Sequence, residues 1–230
     1  MHRLAQCLLA GLREGTRVTL PAMDASTIAC YDREAVGISA RHRSRDPELW
    51  RRRFLAAFPQ GGRILDVGCG SGRDLALLLE LGFEALGTEP SAGMRVAAMK
   101  AYPRLAGRIL DFGLPLPKPA DFGGAFDGIV CSAVLMHVPA PELSAALTSL
   151  RRALRPGGRL WVTIPGPRPG LDAEGRDDGG RLFRDVPNAM LLDLCAAAGL
   201  RRVDDWEEPD RLGRAAIRWH GHIFAAEEPG

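Results

Sequence analysis

Ile64-Leu65-Asp66-Val67-Gly68-Cys69-Gly70-Ser71-Gly72 is the stretch whose reading decides the fold of this chain. Four residues of buried-strand character run straight into three alternating glycines, and an apolar helical pattern opens at Arg73. Glycines at such a turn permit tight backbone geometry and let main-chain N–H groups approach a ligand closely. The spacing sorts the known glycine loops. A dinucleotide fingerprint, G-x-G-x-x-G, requires glycine where Arg73 stands, and a phosphate-binding P-loop requires a Gly-Lys-Ser/Thr that does not follow. The observed form is D-x-G-x-G-x-G, led by Asp66.

Outward from this loop, strand and helix patterns alternate. Helices are expected at 73–81, 91–101, 142–154 and 188–198, and strands at 84–88, 108–111, 126–131 and 159–164. Strands separated by helices of this length imply parallel pairing with right-handed crossovers. Two further strands are expected at 202–206 and 217–225. The expected fold is a doubly wound, Rossmann-like α/β sheet of about seven strands, mostly parallel with an antiparallel edge strand, plus N-terminal helices. Residues 1–23 read as a flexible leader, with Met23 an alternative start. Residues 24–60 read as a helical cap, with Pro47 in the first turn after Asp46, and 61–230 as the main domain. The Gly-, Pro-, Arg- and Asp-rich stretch 165–180 reads as a mobile loop, and 165–187 as the acceptor-side loop.

With these elements in place, the sequence from Tyr31 to Phe224 resembles class I S-adenosylmethionine (SAM)-dependent methyltransferases. The resemblance implies that Asp66, Gly68, Cys69, Gly70 and Gly72 form the cofactor loop. It implies that Glu89, in Gly-Thr-Glu-Pro, holds the ribose hydroxyls, about 20 positions beyond Gly68 as in other nucleotide-binding folds. Pro90 and Met94 follow on the same wall. Asp111 is expected to accept from the adenine amino group while Phe112 covers the ring. Backbone around Cys131 and Ser132, in Phe126-Asp127-Gly128-Ile129-Val130-Cys131-Ser132, is expected at the cofactor's amino-acid end. Tyr31 resembles the aromatic that closes over the cofactor, and simple helix packing explains it equally well.

Methyl transfer is an in-line displacement in which the protein mainly aligns a nucleophile. His137, just past the fourth strand, is the candidate base; a structural role in the following segment is the alternative. His42 and Trp50, within the basic run 41–53, and Arg168 and Arg184, beside Arg176 and Arg181, are candidate acceptor-binding residues. The run 41–53 also reads as a solvated helix face. The arginines near the acceptor loop suggest an acidic or carboxylate-bearing small molecule. His220 and His222 alternate on one putative strand without a third ligand at natural spacing, so no metal is expected.

Composition sets the remaining bounds. The 230 residues are 46% hydrophobic and 25% charged, with net charge +2, as in a soluble globular protein. Only two of the 30 Lys and Arg residues are lysine, Lys100 and Lys118, which reads as the mark of a GC-rich genome. Acidic residues nearly balance the arginines, so nucleic acid is not an expected partner. Five scattered cysteines suggest reduced thiols and a cytoplasmic location. No run is long enough to span a membrane. A monomer or homodimer acting on oxygen or nitrogen of a small molecule is the leading expectation; Cys131-Ser132-Ala133-Val134 occupies the place where amino-methylating DNA and protein enzymes carry an Asn-Pro-Pro-Tyr-like tetrapeptide. A tRNA or protein acceptor is the runner-up. A SAM-binding protein without methyl transfer would carry the same cofactor motifs.

Overall fold

The computed structural model describes residues 23–43, 47–210, 214 and 217–228. Residues 1–22 of the leader expected at 1–23, and Asp46, lie outside the described residues. Helices α1 (Ala25–Arg43) and α2 (Glu48–Ala57) precede β1 (Arg63–Val67), α3 (Arg73–Glu80), β2 (Glu84–Thr88) and α4 (Ala92–Ala101). Then follow β3 (Ile109–Leu110), β4 (Phe126–Ser132), α5 (Leu143–Ala153), β5 (Leu154–Pro165), α6 (Asn188–Ala197), β6 (Leu200–Pro209) and β7 (Arg218–Ala226). The sheet order is β3-β2-β1-β4-β5-β7-β6. Strands β1 to β5 pair in parallel, and β7 runs antiparallel between β5 and β6. The antiparallel strand is therefore second from the edge, and β6 forms the edge itself.

Side chains alternate across each strand, and both faces are covered. On one face Leu65, Ile129, Cys131, Leu160 and Val162 pack under α5 and α6, with Leu147, Leu150 and Leu191 among their partners. On the other, Ile64, Val130, Trp161 and Ile223 meet α2 and α3 through Trp50, Phe54, Leu75 and Leu78. Two-sided burial explains why β1 and β4 read as continuous apolar runs. It also brings the glycine loop to the carboxyl edge of the sheet, where the order reverses around β1 and β4.

Strands β3 and β5 differ from the expectation. Strand β3 has two residues, because Phe112 N turns back onto the Leu110 carbonyl at 3.1 Å. Strand β5 begins at Leu154, which pairs with Phe126 before an irregularity in the ladder. The acceptor-side loop makes contacts with α1: Arg176 pairs with Asp24, Leu182 N donates to Thr27 Oγ1 at 2.9 Å, and Arg33 reaches the Gly179 carbonyl at 3.1 Å. These contacts hold α1 and the loop against each other over the sheet edge.

Candidate active site

A cavity of about 410 Å3 opens at the carboxyl ends of β1, β2, β4 and β5, under α1 and the acceptor-side loop. Its inner wall is the glycine loop. Gly68, Cys69 and Gly70 line it, with Gly68 at φ 63° and Gly72 at φ 73°. These left-handed conformations are why the loop needs glycine. A Cβ at Gly72 would stand 2.5 Å from Leu105 Cδ1, so that glycine serves helix packing and does not face the cavity.

Glu89 follows β2 at the cavity wall and is buried. One carboxylate oxygen accepts from Gly70 N at 2.9 Å and the other from Ser91 N at 2.8 Å. Burial pushes this carboxyl up to about 7, against the pull of those two N–H groups. Each oxygen retains a lone pair for a hydroxyl donor. Met94 and Pro90 line the same wall, and the Ser91 hydroxyl caps α4 by accepting from Met94 N. Asp32, which the sequence reading passed over, fixes this corner: its Oδ1 accepts from Ser91 Oγ at 2.6 Å and from Gly93 N at 2.8 Å.

The opposite wall carries the expected histidine in an unexpected setting. His137 is buried, its Nδ1 on the Leu182 carbonyl at 2.5 Å and its Nε2 on the Tyr31 hydroxyl at 3.0 Å. Burial lowers the imidazole to about 4, so it is neutral near pH 7. A neutral ring with Nδ1–H donated to a carbonyl leaves Nε2 as acceptor, and Tyr31 donates to it. Between the two walls, Ala133 caps β4 at φ 60°, held by its N–H on the Thr163 carbonyl at 3.0 Å. Positive φ at a non-glycine residue is a strain that surrounding structure must hold in place.

Several predicted residues lie elsewhere. Asp66 is buried beneath the loop with Oδ2 lacking a hydrogen-bond partner, and burial with the nearby Asp74 charge keeps its carboxyl well above the usual range. Cys131 points into the core, and Ser132, Ala133 and Val134 line the cavity in its place. Asp111 is turned outward in a two-pronged pair with Arg95 at 2.8 and 2.9 Å, and Phe112 packs near Phe122; neither lines the cavity. Trp50 is corrected from an acceptor-binding to a core residue, since it lies under the sheet with ring centres 5.3 Å from Trp161 and 6.3 Å from Phe54. His42 and Arg168 do line the cavity, whereas Arg184 lines an adjacent hollow behind the loop. His220 pairs with Glu207 at 3.2 Å and His222 is buried beside Phe224. Among the described residues no three His, Cys, Asp or Glu side chains are grouped to hold a metal ion. Among them also, no helix is long and apolar enough to cross a membrane.

Comparison with known proteins bears on this arrangement. Residues 39–211 match a family model described as a methyltransferase domain. A demethylmenaquinone methyltransferase of Beutenbergia cavernae is 37% identical over 180 residues, covering 74% of this chain and 69% of that protein. A ubiquinone biosynthesis O-methyltransferase of Xanthomonas axonopodis is 29% identical over 107 residues, covering 46% of this chain and 44% of that protein. The chain thus spans about half the length of the first curated relatives it matches. The crystal structure of Burkholderia thailandensis 1,6-didemethyltoxoflavin-N1-methyltransferase, with bound 1,6-didemethyltoxoflavin and S-adenosylhomocysteine, superposes with TM-score 0.59 at 21% identity. That superposition covers 98% of this chain and 88% of the other.

Proposed function

The chain belongs to the methyltransferase-domain family, with the class I Rossmann-like fold, and from that premise we propose that it methylates an oxygen or nitrogen of a small-molecule acceptor, using SAM. The supporting observation is a single cavity that joins the glycine loop and Glu89 at one end to Tyr31, His137 and Phe183 at the other. Its volume of about 410 Å3 falls in the range of small-molecule sites.

The donor set at the inner wall fits the cofactor. Glu89 offers two partly used carboxylate oxygens to a ribose diol, and Gly68 to Gly70 leave the wall without side-chain bulk. Pro90 and Met94 would supply apolar cover, and the backbone of Ser132 and Ala133 would hold the amino-acid portion. When bound, SAM supplies an electrophilic methyl group on a sulfonium sulfur.

This chain's residues then hold and dry the acceptor. Helix α1 and the acceptor-side loop close the roof through the Asp24–Arg176 and Thr27–Leu182 contacts. His137 acts as a positioning residue: its Nε2 is taken by Tyr31, so it orients that hydroxyl and does not itself meet the acceptor. Tyr31 is the group placed to hydrogen-bond the acceptor's reacting atom and align it. Arg168 and His42 bound the space available to the acceptor's remainder.

The test is incubation of the protein with SAM and the small-molecule fraction of a cell extract, followed by quantification of S-adenosylhomocysteine. Product that requires that fraction and the intact Tyr31 supports the reading. Product formed only with the RNA or protein fraction would move the acceptor to those classes, and none with any fraction would remove the activity.

A further inference from the structure

The outer end of the cavity carries an imbalance of charge. Asp177 Oδ2 accepts from Arg181 Nε at 3.0 Å and Nη2 at 2.6 Å, and from Arg168 Nη2 at 3.3 Å. Its Oδ1 is filled by the N–H groups of Gly179 and Arg181, at 3.1 and 3.0 Å. One saturated carboxylate therefore faces two guanidinium groups. Arg214, also on the cavity wall, is balanced separately by Asp210, which it meets with Nε at 3.1 Å and Nη2 at 2.6 Å.

Arg168 is the underused partner. Among the described residues its one hydrogen bond is the 3.3 Å contact to Asp177, although a guanidinium has five N–H donors. Its side chain is only 19% exposed, and its charged carbon lies 3.8 Å over the centre of the Phe183 ring. Stacking on Phe183 orients the guanidinium plane while leaving its edge donors unused. A partly buried cation that shares its one carboxylate with a second guanidinium and keeps spare donors is placed to take up an anion. Phe183 packs under Arg168, the Tyr31 ring centre lies 5.5 Å from the Arg181 guanidinium carbon, and Trp219 lines the same cavity.

We propose that this end of the cavity is a carboxylate subsite, in which Arg168 and Arg181 receive the single negative charge of a small acceptor. The surplus is one positive charge, which one carboxylate balances; a phosphate monoester carries closer to two negative charges near pH 7. The planar fork of Arg168 matches the two oxygens of a carboxylate. Naming the ligand as the methyl acceptor rests on the reading under Proposed function. The anion subsite itself does not.

The experiment is calorimetric titration of the S-adenosylhomocysteine-loaded protein with benzoate, benzamide and phenyl phosphate. Benzoate is expected to bind about tenfold more tightly than benzamide, in keeping with a charge-assisted hydrogen bond, and more tightly than phenyl phosphate. Arg168→Gln is expected to erase the benzoate preference while leaving the affinity for S-adenosylhomocysteine within about twofold; Arg168→Lys is expected to keep part of the preference. If Arg168→Gln does not fold, as judged by its melting transition, Arg168→Lys and Arg181→Lys carry the comparison. Equal binding of benzoate and benzamide, tighter phenyl phosphate, or an unchanged preference in the variants overturns the subsite. Loss of S-adenosylhomocysteine affinity in Arg168→Gln also overturns it, by assigning Arg168 to the cofactor's own carboxylate. Should wild type fail to bind S-adenosylhomocysteine, the methyl-transfer reading falls, and benzoate against benzamide on the unloaded protein still decides the subsite.

Discussion

The hydroxyl of Tyr31 and Nε2 of His137 lie 3.0 Å apart, so helix α1 supplies a group that occupies the ring nitrogen a base would use. This contact reassigns the polar chemistry of the cavity from His137 to the pair. Tyr31→Phe leaves Nε2 buried without its donor, a loss of about 1–3 kcal/mol in stability. It is also expected to lower kcat by about tenfold or more while changing cofactor affinity little. Equal kcat in wild type and Tyr31→Phe would take Tyr31 out of the reaction.

His137 titrates at about 4 in the folded protein against 6.5 for a free imidazole, so the unfolded chain binds the extra proton first. Its contribution to stability is complete above about 6.5 and is lost as pH falls toward 4, on the order of 3 kcal/mol in total. Denaturant unfolding of wild type and His137→Gln across this range checks it. The stability difference between the two is expected to shrink as pH falls. The rate profile is likewise expected to show no histidine limb near 6.5.

Glu89 gives a pH dependence in binding, with the same sign. Below about 7 its carboxyl is protonated and one oxygen becomes a donor; above about 7 both oxygens accept. Affinity for a diol-bearing nucleoside is therefore expected to rise between about pH 6 and about pH 8, by up to about tenfold. Calorimetry with S-adenosylhomocysteine at the two pH values measures this, and Glu89→Gln is expected to flatten it.

Trp50 belongs to the core. Trp50→Ala removes a buried ring that packs on Trp161 and Phe54, and is expected to destabilise by about 3–5 kcal/mol. Trp50→Phe, which keeps the aromatic packing, is expected to leave KM for any acceptor unchanged. A raised KM in that variant would return Trp50 to the site.

The clasp over the cavity depends on Asp24. Its carboxylate caps α1 through Thr27 N at 2.8 Å and pairs with Arg176 at 2.7 and 2.9 Å. The Arg176 hydrogen bonds hold this carboxyl well below the usual range, so its contribution is present above about 3.8 and is lost as pH falls further. Asp24→Ala is expected to cost about 1–2 kcal/mol near pH 7, mainly through the lost cap, and thermal unfolding measures it.

The fold and the inner wall of the cavity were legible because they are written locally. Residues 64–72 carry strand, turn and helix start within nine positions, and Glu89 follows from the next strand end. The outer wall is written across distance. Asp177 binds Arg168 and Arg181 within a loop that has no periodicity to read, and Asp32 reaches Ser91 from another helix. Trp50 was misplaced although the signal was present: Trp50, Phe54 and Ala57 recur at helical spacing and form the buried face of α2. The surrounding arginines masked that face. Asp111 stands at the expected strand end, yet its orientation is set by Arg95 on α4, a tertiary pairing that no local pattern announces.

A cofactor site formed by the glycine loop and Glu89 is open to titration of the purified protein with S-adenosylhomocysteine. One binding event per chain in the micromolar range, weakened at least tenfold in a folded Glu89→Ala variant, is the predicted result. A folded wild-type protein that takes up no S-adenosylhomocysteine, or a Glu89→Ala variant that binds it equally well, would contradict the account.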